Sequence, residues 1–317
     1  MTTFDTPGPI AVTLELAVGD VRIVAGERND TVVDVRPSDP SKKGDVTAAE
    51  QTRVELAGGS LLVRGPKGWR QWTLRGGSES IEVTVELPSG SELRGHAGVA
   101  RLRCTGHLGA CRYSTGTGDV SVEDGGDVVE LTTGCGEIVV GRAAGTAEVR
   151  TGSGAVRISS IGGSASVKNS NGSTWIGEAG GELRVRAANG SIVVEQARAA
   201  VAAKTANGDV RIGEVSRGEV VAETAFGRVD IAVREGVAAW LDLGTSFGTV
   251  RNHLDPAAAP RPGEGAVEVR VRTGYGDIQI DRAAGDARSA GDARSAGDAG
   301  SAGDAGSAGS LDEERQA

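Results

Sequence analysis

Apolar and polar residues alternate along most of the chain, and the alternation restarts after each of a series of glycines. With each such glycine counted as position zero, positions +2 and +4 are mostly Val or Ile, while +1 and +3 are mostly polar. A period of two is typical of a β-strand with one buried face. Positions −7 and −5 are also apolar or small, as in Leu183 and Val185. Each unit is therefore predicted to be a strand, a tight turn and a second strand.

The turn glycines recur at a nearly constant spacing. The first five steps are 18 residues each, and the later steps are 19, 21 and 28. Such a period predicts a repeat architecture, because one two-strand unit cannot bury its apolar face alone and must stack on its neighbours. The turn glycines are Gly118, Gly136, Gly154, Gly172, Gly190, Gly208, Gly227, Gly248 and Gly276.

The favoured architecture is an all-β fold, a right-handed β-solenoid with coils of about 18 residues stacked at the usual strand spacing of about 4.8 Å. The alternative is a string of antiparallel hairpins, since Asn-Gly is the strongest short hairpin signal. Both arrangements put the same residues on the inside, so the alternation does not separate them. Identical residue types at fixed positions favour the solenoid, because equivalent residues of successive coils then stack directly on one another.

The turn residues have predicted structural roles. Thr recurs at position −3, facing inward, where its hydroxyl can satisfy backbone groups that strand pairing leaves free. Asn at position −1 occurs in three consecutive units, at Asn171, Asn189 and Asn207. Stacked Asn side chains can hydrogen-bond to one another along such a ladder. The repeated motif is therefore expected to build corners of the coil.

The chain divides into three predicted regions. Residues 1–95 alternate like strands without the 18-residue spacing, and we expect them to form a β-sheet that caps the first coil. Residues 96–282 form the solenoid, with a loop inserted at 253–266 near the last coil. Residues 283–317 are a six-residue low-complexity repeat without clustered large apolar side chains, which predicts a disordered tail.

The repeated T-G-x-G and A-N-G-D-V-R-I units, preceded by V-G-D-V-R-I near the N-terminus, resemble a bacterial family of β-strand-repeat proteins. It is known as a putative-adhesin family with a domain of unknown function. The resemblance covers roughly residues 10–280. It implies a β-helical fold and little about activity, and it carries over no catalytic residues.

Charge and cysteine usage narrow the function classes. The net charge of −9 argues against bulk attraction to nucleic acid. The three cysteines, Cys104, Cys111 and Cys135, have no C-x-x-C spacing, which favours reduced structural thiols. We see no signal peptide and no run of about 18 apolar residues, so we expect a cytoplasmic protein without a membrane span.

Catalytic chemistry has weak support in the sequence. Position +1 gives Asp119, Glu137, Asp209 and Asp277, but uncharged or basic residues interrupt this acidic column. The three histidines have no ligand-like spacing to one another or to cysteine. We therefore expect no catalytic residues, no cofactor-binding residues and no metal site, and we predict that the chain is not an enzyme.

Two exterior columns are candidate binding surfaces. Position −4 places like charges on four consecutive coils, with one more cation beside them, and their mutual repulsion would be offset by an anionic ligand. This possible anion-binding strip consists of Arg150, Lys168, Arg184, Arg186 and Lys204. Position +3 on the other face gives a possible protein interface at Val139, Trp175 and Val193, unless a loop containing Trp69 and Trp72 covers it.

The leading function class is a non-enzymatic solenoid scaffold or interaction protein, with a protein partner or self-association. The alternative is a carbohydrate- or polyanion-binding module that uses the basic column to bind an acidic polymer. A third class, a polysaccharide-acting enzyme, rests on an analogy of fold only.

Overall fold

The computed structural model describes residues 1–66, 79–255 and 266–283, all within one compact unit, Met1–Ala283. The predicted tail beyond residue 283 and the Trp69–Trp72 segment lie outside these residues. The N-terminal elements are β1 (Thr2–Asp5), β2 (Ala11–Gly26), β3 (Asp30–Pro37), α1 (Lys43–Gln51), β4 (Arg53–Ala57), β5 (Ser60–Arg64), β6 (Ile81–Pro88) and β7 (Glu92–Leu108).

The repeat that follows is a regular series of short strands, two to a coil. They are β8 (Cys111–Thr117), β9 (Val120–Gly125), β10 (Val128–Cys135), β11 (Ile138–Ala143), β12 (Thr146–Ser153), β13 (Val156–Ile161), β14 (Ala165–Asn171), β15 (Thr174–Ala179), β16 (Leu183–Asn189), β17 (Ile192–Ala197), β18 (Val201–Asn207), β19 (Val210–Val215), β20 (Gly218–Phe226), β21 (Val229–Val233), β22 (Ala238–Phe247), β23 (Val250–Asn252), β24 (Ala266–Tyr275) and β25 (Ile278–Arg282).

The strands pair between coils and not within them. Strand β8 pairs in parallel with β7 and β10, whereas β9 pairs in parallel with β7 and β11. Residues 18 positions apart are direct partners, such as Val167 and Val185. This pattern confirms the solenoid and excludes the string of hairpins. Its right-handed sense stays a prediction.

We call the sheet of strands that precede the turn glycines the front face, and the sheet of strands that follow them the rear face. Outside the terminal coil of β22 and β23, the residues predicted to point inward from both faces are buried: Val210 and Ile212 are 0% exposed. Val and Ile dominate this interior because β-branched side chains fit the pleated surface of a strand. The narrow core therefore runs along the length of the solenoid between the two faces.

The parallel stack begins well before residue 95. Strand β2 pairs in parallel with β7 along almost its whole length, with Ala11 opposite Glu92, and so forms a coil of its own. Strands β5 and β6 pair in parallel with the other edge of β2. Only then does the direction reverse, because β4 is antiparallel to β5, β3 to β6, and β1 to β3. The N-terminal cap therefore consists of β1, β3 and β4, together with α1, which packs against β3 and β6.

The last two coils are stacked in the reverse of their chain order. Strand β24 lies between β20 and β22, and β25 lies between β21 and β23. The coil of β24 and β25 points Val269, Val271 and Ile278 inward, all 0% exposed. The coil of β22 and β23 instead carries Asn252 at an inward position. The more apolar coil thus occupies the site that is covered on both sides, and the less apolar coil ends the stack.

Candidate functional site

The turn glycines form a column in which successive coils approach too closely for any side chain. A Cβ atom on Gly208 would lie 2.3 Å from the carbonyl oxygen of Gly190. The backbone φ angle of Gly208 is 145°, a conformation that L residues rarely adopt. Steric contact and backbone conformation therefore both require glycine at this position, which explains why the spacing is so visible in the sequence.

The threonines at position −3 do what the sequence predicts. Thr133 Oγ1 donates a hydrogen bond of 3.0 Å to the carbonyl oxygen of Gly118, the turn glycine of the neighbouring coil. Thr205 and Thr224 make the same contact with Gly190 and Gly208. These hydroxyls are buried and satisfy carbonyl groups that the strand ladder leaves unpaired.

The aspartates at position +1 also have a structural role, which the sequence did not reveal. Asp119 Oδ1 accepts a hydrogen bond of 3.0 Å from the backbone N–H of Glu137. Asp209 accepts one of 2.8 Å from Arg228, and Asp277 one of 2.8 Å from Thr249. Each aspartate thus holds the next coil in register at the turn. The three aspartates of this acidic column are therefore engaged with the main chain, whereas Glu137 of the same column pairs with Arg157.

Position −1 forms a continuous ridge along the turns. Asn189 Nδ2 donates to Asn171 Oδ1 at 2.9 Å, and Asn207 Nδ2 donates to Asn189 Oδ1 at 2.8 Å, so the predicted Asn ladder is confirmed. The ridge continues toward the C-terminal end with aromatic rings. Tyr275 stacks between Phe226 and Phe247, with ring centroids 5.0 and 4.7 Å apart and rings within 7° of parallel.

The predicted basic column exists on the front face. Arg150, Lys168, Arg186 and Lys204 are direct partners in the parallel ladder, one on each of four consecutive coils. Their side chains point outward, and Arg184 lies two residues before Arg186 on β16. We call these five residues the basic ladder. At the strand spacing of about 4.8 Å, their charges repel one another unless anions intervene.

Carboxylates neutralise only part of the basic ladder. Arg150 pairs with Glu148, Arg184 with Glu182 at 2.6 Å, and Lys204 with Glu223 at 2.8 Å. Among the described residues, no carboxylate lies within 4.0 Å of Lys168 or Arg186. These two cations are exposed neighbours in the middle of the ladder.

The predicted interface residues Val139, Trp175 and Val193 share one exterior column on the rear face, interrupted by Arg157. All three are half-buried. Trp175 Nε1 donates a hydrogen bond of 3.1 Å to Glu195, and its ring lies over Gly177, where an added Cβ would be 3.2 Å away. The indole is thus held against the outside of its own sheet in one orientation.

The remaining reactive groups are scattered or shielded. The imidazole Nδ1 atoms of His107 and His253 lie 3.0 and 2.6 Å from Asp124 and Asp281. Burial, and then the neighbouring Cys111, raises the pKa of the Cys104 thiol. Within the described ranges, no group of three or more His, Cys, Asp or Glu residues could hold a metal ion. No helix in the same ranges is long and apolar enough to cross a membrane.

Solved structures similar to this chain include a putative adhesin from Parabacteroides merdae and one from Bacteroides fragilis. The first is 12% identical, with 89% of this chain and 95% of that chain covered and a TM-score of 0.40. The second is 11% identical, with 88% and 95% covered and a TM-score of 0.37. A comparison with curated proteins finds no match.

The family model described as Toastrack DUF4097 matches residues 11–298. This match spans most of the chain and agrees with the resemblance carried by the T-G-x-G and A-N-G-D units. It includes β2 and the later parallel strands, which the structure stacks into one solenoid. The chain therefore belongs to the Toastrack DUF4097 family, a domain family of unknown function.

Proposed function

We propose that the chain is a non-enzymatic interaction scaffold that binds a protein partner along the outside of its solenoid. The observation that carries the proposal is the engagement of the acidic column: Asp119, Asp209 and Asp277 hold the backbone of the next coil. An acid–base enzyme needs carboxylates that are free to exchange protons with a substrate. The repeat instead uses these three carboxylates to hold adjacent coils together at the turn, which leaves its two flat faces as surfaces for binding.

The rear-face column offers the surface for a protein partner. Trp175 is fixed in orientation by Glu195, so little side-chain entropy is lost when a partner covers it. Val139 and Val193 add apolar surface in the same column, and tryptophan is the residue type most enriched among binding hot spots.

A Trp175→Ser variant tests this surface. The full chain and the variant are used to capture proteins from native lysate. Phe226→Ser is the control, because it also removes an exposed aromatic ring, but from the ridge along the turns and not from the rear face. We expect a protein that the parent and the control retain to be lost with Trp175→Ser. Retention by all three chains to the same degree would contradict an interface at Trp175.

The proposal places the scaffold in the cytoplasm. Cys104, Cys111 and Cys135 are free thiols, and two of them are buried together in the core. Free thiols are the usual state of cysteine in a reducing compartment. Fractionation of the source cells checks the location, and recovery in an extracellular or surface fraction would contradict it.

A second candidate function is binding of an acidic polymer to the basic ladder. It is favoured by the neighbours Lys168 and Arg186, which have no carboxylate partner in the part of the chain that the structure describes. The double variant Lys168→Ser/Arg186→Ser should elute from heparin at lower salt, because each lost phosphate- or sulfate-type contact reduces the salt dependence of binding. The control Arg142→Ser/Arg211→Ser removes the same charge from the rear face. Equal elution of both double variants would rule out the ladder as the binding site.

A further inference from the structure

The C-terminal end of the solenoid presents an open strand edge. Strand β22 pairs only with β24, and β23 only with β25, among the described residues. Within the described ranges, the main-chain groups on the outer edge of β22 thus have no strand partner, as at any open sheet edge. Strand β22 is ten residues long, which makes it a substantial template.

Apolar side chains concentrate at this open end. Trp240 is 60% exposed, Phe247 62% and Val250 43%, and Leu241 and Leu243 are only partly buried against the core. Phe247 uses one ring face to stack on Tyr275, so its other face points away from the coil below. The end thus exposes a cross-section of the apolar interior that every other coil buries.

Charges at this end are turned back toward the molecule. Asp242 Oδ2 bonds to Arg272 at 2.6 Å, Arg251 lies 3.9 Å from Asp277, and His253 bonds to Asp281 at 2.6 Å. The sequence of β22, AAWLDLGTSF, contains no Lys, Arg or Pro. Natural edge strands usually carry such residues to prevent pairing with other chains. The edge of β22 lacks these devices, and its one charged residue, Asp242, is paired with Arg272.

We propose that this end is the interface of a homodimer, in which β22 pairs antiparallel with β22 of a second copy. A two-fold axis perpendicular to the solenoid brings the same patch of both copies together, as an isologous contact requires. The antiparallel pairing continues both sheets and the apolar core across the interface. Leu241 and Leu243 of one copy then lie against the same residues of the other. The chain's own residues 284–317 fit this surface poorly, because Leu311 is their one large apolar residue.

The area of this end is close to the lower limit for a specific dimer interface. The ten residues of β22 span about 33 Å at about 3.3 Å per residue. Two sheets about 10 Å apart, with their outer side chains, give a thickness of about 20 Å. Because β23 has only three residues, the rear face of this end is shorter, and the end-on contact is about 500 Å² per copy, or about 1,000 Å² in total, which is about the lower limit for a specific interface.

The experiment measures the mass of the full chain by sedimentation from about 1 to 100 μM. We expect the parent to reach twice the chain mass of 32.1 kDa. Val250→Lys buries a charge from each copy and should raise the dimer dissociation constant on the order of 100-fold. Val99→Lys is the matched control, because Val99 is 49% exposed on β7, far from this end in the stack. It should dimerise like the parent.

A second variant and a second measurement distinguish loss of the dimer from misfolding of the chain. Trp240→Lys changes an exposed side chain on the same edge and should also weaken the dimer, at an unchanged circular dichroism spectrum. Amide exchange in β22 should slow as concentration rises. A monomeric parent throughout the range overturns the proposal, and protected β22 amides in that monomer would mean that the chain covers its own edge. Equal dissociation of Val250→Lys and Val99→Lys also overturns it.

Discussion

The two ends of the solenoid differ in how far their outermost strands are protected from pairing with other chains. At the N-terminal end, the outermost strands are β1, only four residues long, and β4, which exposes Arg53 and Glu55. Both run antiparallel to their neighbours, and α1 covers part of the sheet. At the C-terminal end, β22 is long, apolar and uncapped among the described residues. The comparison indicates that one end is built to stop strand pairing and the other to continue it.

The largest expected loss of stability comes from adding a methyl group at a turn glycine, and its size should depend on which coil carries that glycine. A Cβ on Gly276 would lie 1.9 Å from the Gly227 carbonyl oxygen, and one on Gly248 would lie 2.0 Å from that of Gly276. Gly276→Ala separates the last two coils from the stack and should cost about 3 kcal/mol or more of unfolding free energy. Gly248→Ala frees only the terminal coil and should cost less than about 1 kcal/mol globally.

Urea unfolding and amide exchange distinguish these outcomes, at a concentration where the parent is monomeric. Exchange in β22 should accelerate in both glycine variants, whereas the midpoint of global unfolding should fall only for Gly276→Ala. An equal fall for Gly248→Ala would show that the terminal coil belongs to the cooperative core.

The positions of these glycines, and the interior they define, follow from the sequence because they depend on residues within one repeat. Thr at −3, Asn at −1 and the Val and Ile pairs each act on the adjacent coil in the same way every time. The reversed order of the last two coils was not predicted, because it depends on competition between coils. Asn252 disfavours a doubly covered position that Ile280 fills well, and spacing alone does not reveal that preference.

The candidate surfaces were also only partly predictable from the sequence: the spacing of the repeat predicts which residues are neighbours, but not what each side chain binds. The 18-residue spacing alone placed Lys168 beside Arg186, and the structure confirms that the two are partners in the parallel ladder. The role of Asp119 was not predictable from its type, since a carboxylate after a turn glycine is equally compatible with solvent exposure. Only the geometry of the turn shows that its oxygen meets the Glu137 N–H.

An intermediate effect is expected from removing one carboxylate at each end. Asp45 is buried on α1 and accepts hydrogen bonds from the backbone N–H groups of Asp39 and Ser80, at 3.1 and 3.0 Å. Asp45→Ala leaves two donors without their partner and should cost about 3 kcal/mol. Asp242→Ala breaks an exposed pair with Arg272, and because water screens such pairs the free energy of unfolding should change little.

Thermal unfolding of the two aspartate variants checks this contrast. The Asp45 variant should melt several degrees below the parent, while the Asp242 variant should melt close to it. Similar melting temperatures would mean that α1 contributes little to holding the N-terminal cap, and the difference drawn between the two ends would then rest on strand pairing alone.

The smallest expected effect is local loosening of the C-terminal end in acid. Hydrogen bonds from Arg272 and from His253 lower the pKa values of Asp242 and Asp281, respectively, and both pairs tie the terminal coil to the coil below. Because each folded-state pKa lies below the unfolded value of about 4, the stabilisation is present above that pH. It is lost as the pH falls through the lowered pKa.

Amide exchange in β22 and β23, corrected for the intrinsic rate, should therefore rise a few-fold between pH 6 and pH 3, while β6, which packs against β3 and α1, stays protected. An Asp242→Asn variant should show a smaller rise, and equal acceleration at both ends would indicate general acid unfolding instead of release of these two pairs.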